Sequence, residues 1–133
     1  MLNIHNQTQI IDANSNIELY TYDYRGNITK KIDRRESIDK YTYDLTDNLI
    51  EWTDANNNKT SYVYDKVGNI LELRQPNGAL TKYEYDNNYN RIILINPKGK
   101  ETNYTYDRDN RLISETDPNG NVKRYNYNKT RAL

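Results

Sequence analysis

The stretch YTYDRDNRLISETDPNGNVKR, residues 104–124, is followed at once by YNY at 125–127, which begins the same pattern again. Working outward from it, Tyr-x-Tyr doublets stand at Tyr20/Tyr22, Tyr41/Tyr43, Tyr62/Tyr64, Tyr83/Tyr85, Tyr104/Tyr106 and Tyr125/Tyr127, each 21 residues from the last with no insertion. They account for twelve of the fourteen tyrosines, leaving Tyr24 and Tyr89 outside the pattern. Self-similarity at a fixed period marks a repeat architecture, so the reading of one tile decides the fold.

Two turns punctuate each tile. The first opens on the Asp after each doublet: DYRG (23–26), DLTD (44–47), DKVG (65–68), DNNY (86–89) and DRDN (107–110), with Asp23, Asp44, Asp65, Asp86 and Asp107 leading. Asp at that position accepts hydrogen bonds from backbone two residues on, and the fourth position calls for positive φ, which Gly26, Gly68, Asp47 and Asn110 tolerate. Tyr89 does not, so the fourth tile is expected to have a wider or strained first turn. The second turn comes ten residues later, as DRRE (33–36), DANN (54–57), QPNG (75–78), NPKG (96–99) and DPNG (117–120). There Pro presets φ, Gly78, Gly99 and Gly120 stand where a left-handed residue closes a bulged hairpin, and Glu36 fits worst.

The segments between turns are too short for helices and rich in Tyr, Thr, Ile and Leu, and they read as strands. In each Tyr strand the two rings share a face with the residue two before them, while Lys40, Ser61, Lys82, Asn103 and Arg124 lie on the other, toward water. Alternation in the second strand is less clean, which a bulge near the preceding turn or cover on both faces would explain. The expectation is an all-β fold: a continuous antiparallel hairpin array of about ten strands, forming an open, curved or spiralling sheet. Residues 1–19 form an N-terminal segment with half a repeat, 20–124 five repeats, and 125–133 the start of an incomplete sixth.

Composition bounds the function. Of 133 residues 35% are hydrophobic, none is Phe or Cys, and mean hydropathy is -1.15, so neither a large core nor disulfides or a thiolate metal cage is expected. Nineteen basic residues balance nineteen acidic ones. No net field draws the chain to nucleic acid or an anionic surface, and no nucleic-acid role is expected. No signal peptide is read at the N-terminus, and no segment approaches the ~20 apolar residues of a membrane span.

The residues Tyr-x-Tyr-Asp-x-x-Gly-Asn-(Leu/Ile), best seen in YTYDYRGNI (20–28) and YVYDKVGNI (62–70), with the turn TDPNGN (116–121), closely resemble the YD repeat of the RHS family. The resemblance covers roughly residues 10–128 and implies a scaffold role. Such repeats, in bacterial polymorphic toxins, insecticidal toxin complexes, wall-associated proteins and teneurins, build a hairpin sheet that spirals into a hollow shell, often around a C-terminal toxin domain. It also implies an exported or cell-surface setting. Bacterial members usually carry an aspartyl self-cleavage segment after the repeats, and no such segment is read here: Asp117–Pro118 belongs to a repeat turn.

Chemical readings fare less well. The single histidine, His5, lies outside the repeats, no nucleophile and base are paired by the pattern, and no enzyme, cofactor or metal is expected. DANSN (12–16) and DANNN (54–58) imitate a calcium loop, but the sixth positions hold Ile17 and Lys59 where Gly is wanted, so turn chemistry is the reading. Trp52 is read as packing. The sequons at Asn6, Asn27, Asn58, Asn103 and Asn128 are read as chance in an Asn-rich chain. The expected partners are further repeats of a longer chain or self-association through open sheet edges, with glycan or surface-protein binding by the tyrosine-lined face as the alternative.

Overall fold

The computed structural model describes residues 7–129; His5, Asn6 and the extreme ends of the two terminal segments lie outside the described residues. The chain runs as a meander of β1 (Gln7–Ile11), β2 (Ile17–Tyr22), β3 (Ile28–Ile32), β4 (Ile38–Tyr43), β5 (Leu49–Thr53), β6 (Lys59–Tyr64), β7 (Ile70–Arg74), β8 (Leu80–Tyr85), β9 (Arg91–Ile95), β10 (Glu101–Tyr106), β11 (Leu112–Thr116) and β12 (Val122–Arg124). All twelve belong to one antiparallel sheet in sequence order. Against the ten or so strands expected there are twelve among the described residues, with β1 and β12 at the two edges of the sheet.

The eleven turns among the described residues share one construction. The fourth residue donates its N–H to the carbonyl of the first, as Gly26 does to Asp23 at 3.1 Å and Tyr89 to Asp86 at 3.0 Å. That fourth residue has positive φ in every turn: the five glycines and Ser15, Glu36, Asp47, Asn57, Tyr89 and Asn110. Tyr89 therefore resolves one expectation. Its turn is not widened; the ring-bearing residue sits at φ 64°, where a Cβ crowds the neighbouring carbonyl.

The second strands owe their blurred alternation to a bulge. Thr21 pairs with Lys30 and Tyr22 with Ile28, so Thr29 is an extra residue, and the same shift recurs between β4 and β5, β6 and β7, β8 and β9, and β10 and β11. Parity explains why it must recur. Side chains alternate faces with period two, so a tile of odd length would turn successive tyrosine doublets to opposite faces unless one residue per tile dropped out of the ladder.

Following the ladder across one tile, Thr21 meets Lys30 and Lys30 meets Lys40, an advance of 40 − 21 = 19 positions. The same advance takes Thr42 to Ser61 and Glu84 to Asn103. Against a repeat of 21 this is a slip of two residues per hairpin. Two residues rise about 6.6 Å while two strands span about 9.6 Å, which tilts the strands by about 35°, the value at which sheets coil and close.

The described residues form one layer, without a core. No described residue is fully buried, and the chain exposes 10583 Å², against about 7,300 Å² for a compact protein of its mass. What holds the fold is lateral: each tile packs against the next.

Candidate functional surface

The face bearing the doublets is built from repeating rows. Tyr41 lies opposite Trp52, and Trp52 opposite Thr60; the corresponding rows are Tyr62–Leu73–Thr81 and Tyr83–Leu94–Thr102. At the end rows aliphatic partners give way to charge, Lys31 opposite Tyr20 and Glu115 opposite Tyr104. Lys31 stands over Tyr20 at 5.8 Å and Lys123 over Tyr125 at 5.2 Å, so the cations there rest on ring faces. Trp52 is half-buried in the row, and its Nε1–H is the one buried side-chain polar atom without a partner among the described residues.

The two tyrosines of a doublet do different things. From the second tile on, the hydroxyl of the second ring donates to a backbone carbonyl fifteen residues back: Tyr43 to Ile28 (2.8 Å), Tyr64 to Leu49 (2.7 Å), Tyr85 to Ile70 (2.8 Å), Tyr106 to Arg91 (2.8 Å) and Tyr127 to Leu112 (2.7 Å). Those carbonyls sit just after the first turn of the preceding tile, beyond the pairing of that strand with the next, which begins at Lys30–Lys40 in the first tile. Lying beyond the start of that pairing, the acceptor has no ladder partner on the next strand, and the next tile supplies a phenol to fill it. Burial pushes the Tyr43, Tyr64, Tyr85 and Tyr106 hydroxyls above the ordinary phenol pKa, which keeps them protonated donors. Tyr22 departs from the pattern: it accepts from Thr8 Oγ1 at 2.7 Å. First-position rings make local contacts, such as Tyr20 O–H to Glu18 (2.6 Å) and the stacked pair Tyr62–Tyr64.

The aspartates are structural clips. In Asp44, Oδ1 accepts from the N–H of Thr46 (2.8 Å) and Asn48 (3.0 Å), and Oδ2 accepts from Asn48 Nδ2 (3.0 Å). The Asn48 side chain, then its backbone N–H, hold the Asp44 carboxyl down to about 2. The same Asp–Asn clip closes the turns at Asp12, Asp54, Asp65, Asp86 and Asp117, the two calcium-like stretches included. The repeat motif contains this Asn four residues after the Asp, and its recurrence in most turns is the signal for a pairing that the motif alone does not state. Asp107 uses Arg111 instead, at 2.8 Å. Neighbouring first turns are also tied together, through Asn27 Nδ2 to Asp47 Oδ1 (2.7 Å) and Asn90 Nδ2 to Asn110 Oδ1 (2.8 Å).

The fourth tile carries the other departure. Arg91 stands where the remaining tiles have Ile28, Leu49, Ile70 and Leu112, and its guanidinium lies 5.5 Å from the Tyr83 ring and 5.1 Å from the Tyr104 ring. On the opposite face, open grooves separate successive second turns; one of about 440 Å³ is lined by Glu36, Ile38, Lys40, Thr53 and Asn57. Ser37 and Asp54 join that lining, with the Asp54 carboxylate engaged by the N–H groups of Asn56 and Asn58 and by Asn58 Nδ2.

No curated protein matches the chain. Solved structures share its fold: that of TcdB2-TccC3-Cdc42 superposes with a TM-score of 0.65 at 19% identity, covering 84% of this chain and 7% of that one. The structure of TcdB2-TccC3 gives 0.63 at 19% identity over 84% of this chain and 7% of that one. The Photorhabdus luminescens Tc holotoxin pore, with the mutation TccC3-D651A, gives 0.65 at 23% identity over 82% of this chain and 6% of that one. The chain thus spans well under a tenth of the length of the structures it resembles. The family model described as Teneurin YD-shell matches residues 1–131, and the chain, with its clipped turns and phenol-bridged tiles, belongs to the YD-shell family.

Proposed function

We propose that this chain is a wall segment of a YD shell, a non-enzymatic scaffold within an exported, toxin-associated protein, organised as five full 21-residue tiles between half tiles. The observation that carries this reading is the hydroxyl bridge repeated at five successive tiles, each closing the tile before it at a constant register. A surface whose polar groups are spent on its own backbone is organised to hold shape. The outer edges of β1 and β12, unpaired among the described residues, offer backbone to flanking repeats, as a wall requires. The strand tilt of about 35° supports a coiled wall over a flat ribbon.

The reading is tested by removing one whole tile, residues 62–82. A quasi-one-dimensional scaffold keeps its circular dichroism spectrum and loses stability in proportion to the lost interface. Complete unfolding of the shortened chain, or a catalytic turnover lost on deleting this tile, contradicts it.

A further inference from the structure

Ten of the eleven turns among the described residues are locked in one way: the side-chain Oδ1 of the first residue, Asp or Asn, accepts from the backbone N–H of the third residue and of the fifth. The eleventh, QPNG at 75–78, opens on Gln75, whose side chain makes no hydrogen bond among the described residues. Its fifth residue, Ala79, donates its N–H to Asn77 Oδ1 instead, at 2.9 Å. An N–H that belongs to the clip everywhere else here falls on a carboxamide.

That carboxamide stands before a glycine. The sequence holds two Asn-Gly pairs, Asn77–Gly78 and Asn119–Gly120, both within the tripeptide Pro-Asn-Gly and both at the third and fourth positions of a second turn. The two glycines share one backbone geometry, with φ of 82° and 85°, and each donates its N–H to the carbonyl of the first turn residue, Gly78 to Gln75 at 2.9 Å and Gly120 to Asp117 at 3.0 Å. All four residues of the pairs are exposed. What separates the turns is the clip: Asp117 Oδ1 accepts from the N–H of Asn119 and of Asn121, both at 2.9 Å, and Oδ2 accepts from Asn121 Nδ2 at 2.7 Å.

We infer that Asn77 is a site of spontaneous deamidation in the folded chain, and that it reacts faster than Asn119 because its turn has no clip. The Gly78 nitrogen gives its proton to a solvent base and bonds to Asn77 Cγ; the Cγ–Nδ2 bond then breaks, Nδ2 takes a proton from water and leaves as ammonia, and a cyclic imide remains. Water opens the imide at Cγ, giving an aspartate at position 77, or at the main-chain carbonyl, giving an isoaspartate. In sum a carboxamide and one water become a carboxylate and ammonia, with no change of oxidation state.

Two features of the turn favour this path. The ring closed by the bond from Ala79 N–H to Asn77 Oδ1 encloses the Gly78 nitrogen, which holds nucleophile and electrophile together, and the same N–H lies on the oxygen that becomes negative as Cγ is attacked. The Gly78 N–H must also leave the Gln75 carbonyl, and a turn with no side-chain clip opens at lower cost than one held by three hydrogen bonds to a carboxylate. Asn119 has neither feature, since the N–H that would activate its carboxamide is held by Asp117. The isoaspartate lengthens the main chain by one carbon inside the turn that joins β7 to β8, so that hairpin is altered ahead of the one at Asn119. The wall reading does not depend on this chemistry.

Incubation of the full chain at neutral pH tests it, with both sites followed by peptide mass mapping and with electron-transfer fragmentation to separate aspartate from isoaspartate. Asn77 is expected to convert at least about tenfold faster than Asn119. In denaturing urea, where the shared tripeptide alone governs the reaction, the two rates should come within about twofold of each other. Gln75→Asp, which supplies the missing carboxylate, should slow Asn77 to the rate of Asn119, and Asp117→Gln should speed Asn119 to the rate of Asn77, with circular dichroism showing that each variant keeps the sheet. Equal rates in the folded chain overturn the inference whatever the variants do. So does an excess at Asn77 that persists in urea, or one that a folded Gln75→Asp chain leaves unchanged.

Discussion

Replacing Tyr64 by Phe removes one oxygen and keeps the ring. The structure assigns that oxygen a 2.7 Å bond to the Leu49 carbonyl, so its loss costs a hydrogen bond whose net contribution is about 1 kcal/mol. Tyr64 is only half-buried, so water can reach the orphaned carbonyl and the cost stays near that figure, without the larger penalty of a dry unpaired acceptor. Tyr62, one row away, makes no hydrogen bond through its hydroxyl among the described residues, and Tyr62→Phe is expected to change stability by less than about 0.3 kcal/mol. Thermal melts followed by circular dichroism separate the two, with Tyr64→Phe lowering the midpoint by about 4 °C and Tyr62→Phe by under about 1 °C. The five bridging rings share no partners, so Tyr43, Tyr64, Tyr85, Tyr106 and Tyr127 all changed to Phe should lose about 5 kcal/mol together. Equal losses at Tyr62 and Tyr64 would refute the division of labour within the doublet.

Acid should loosen the turns. The carboxyls of nine turn aspartates sit below the ordinary range, Asp44 at about 2, so the stability they contribute is full above about pH 4, where the unfolded carboxylates are ionised. It is lost as pH falls from about 4 through about 2, and a urea midpoint that does not decline across that window contradicts the clip account. Tyr89→Gly should raise stability by roughly 0.5 kcal/mol, the relief of left-handed strain exceeding the added chain entropy of glycine. Gly26→Ala at φ +91° should lower it by about 1 kcal/mol, both read in urea titrations. Deleting Leu71, the bulge residue of β7, leaves the pairs Val63–Glu72 and Tyr64–Ile70 able to join a regular ladder and should preserve the fold. Inserting one alanine between Lys82 and Tyr83 turns the rest of that strand over and should abolish cooperative melting.

Much of this was legible because a repeat states its own alignment. The doublets gave strand faces, and the Asp-led turns gave the hairpin boundaries, since each depends on residues close in sequence. Tyr89 was legible as a misfit, and the choice between widening and strain was left open because the turn's hydrogen bond is set by the flanking strands. The bulge was half-legible from the aliphatic residues that broke alternation in NLIEWT (48–53) and NRIILI (90–95). Its parity role appears only when the ladder is counted. The hydroxyl bridges were not legible: a reach of fifteen residues follows from the two-residue slip between tiles, which no local pattern records. The placement of Arg91 between the Tyr83 and Tyr104 rings depends on the same slip, because it decides which residues of adjacent tiles become neighbours.

The account rests on tiles closed by their successors, and nuclear magnetic resonance reads that contact directly. Five tyrosine hydroxyl protons, those of residues 43, 64, 85, 106 and 127, should exchange slowly enough to observe and show Overhauser contacts to the residue fifteen positions earlier, while the Tyr62 hydroxyl exchanges too fast to see. Uniformly fast exchange, or contacts to residues other than Ile28, Leu49, Ile70, Arg91 and Leu112, would contradict it.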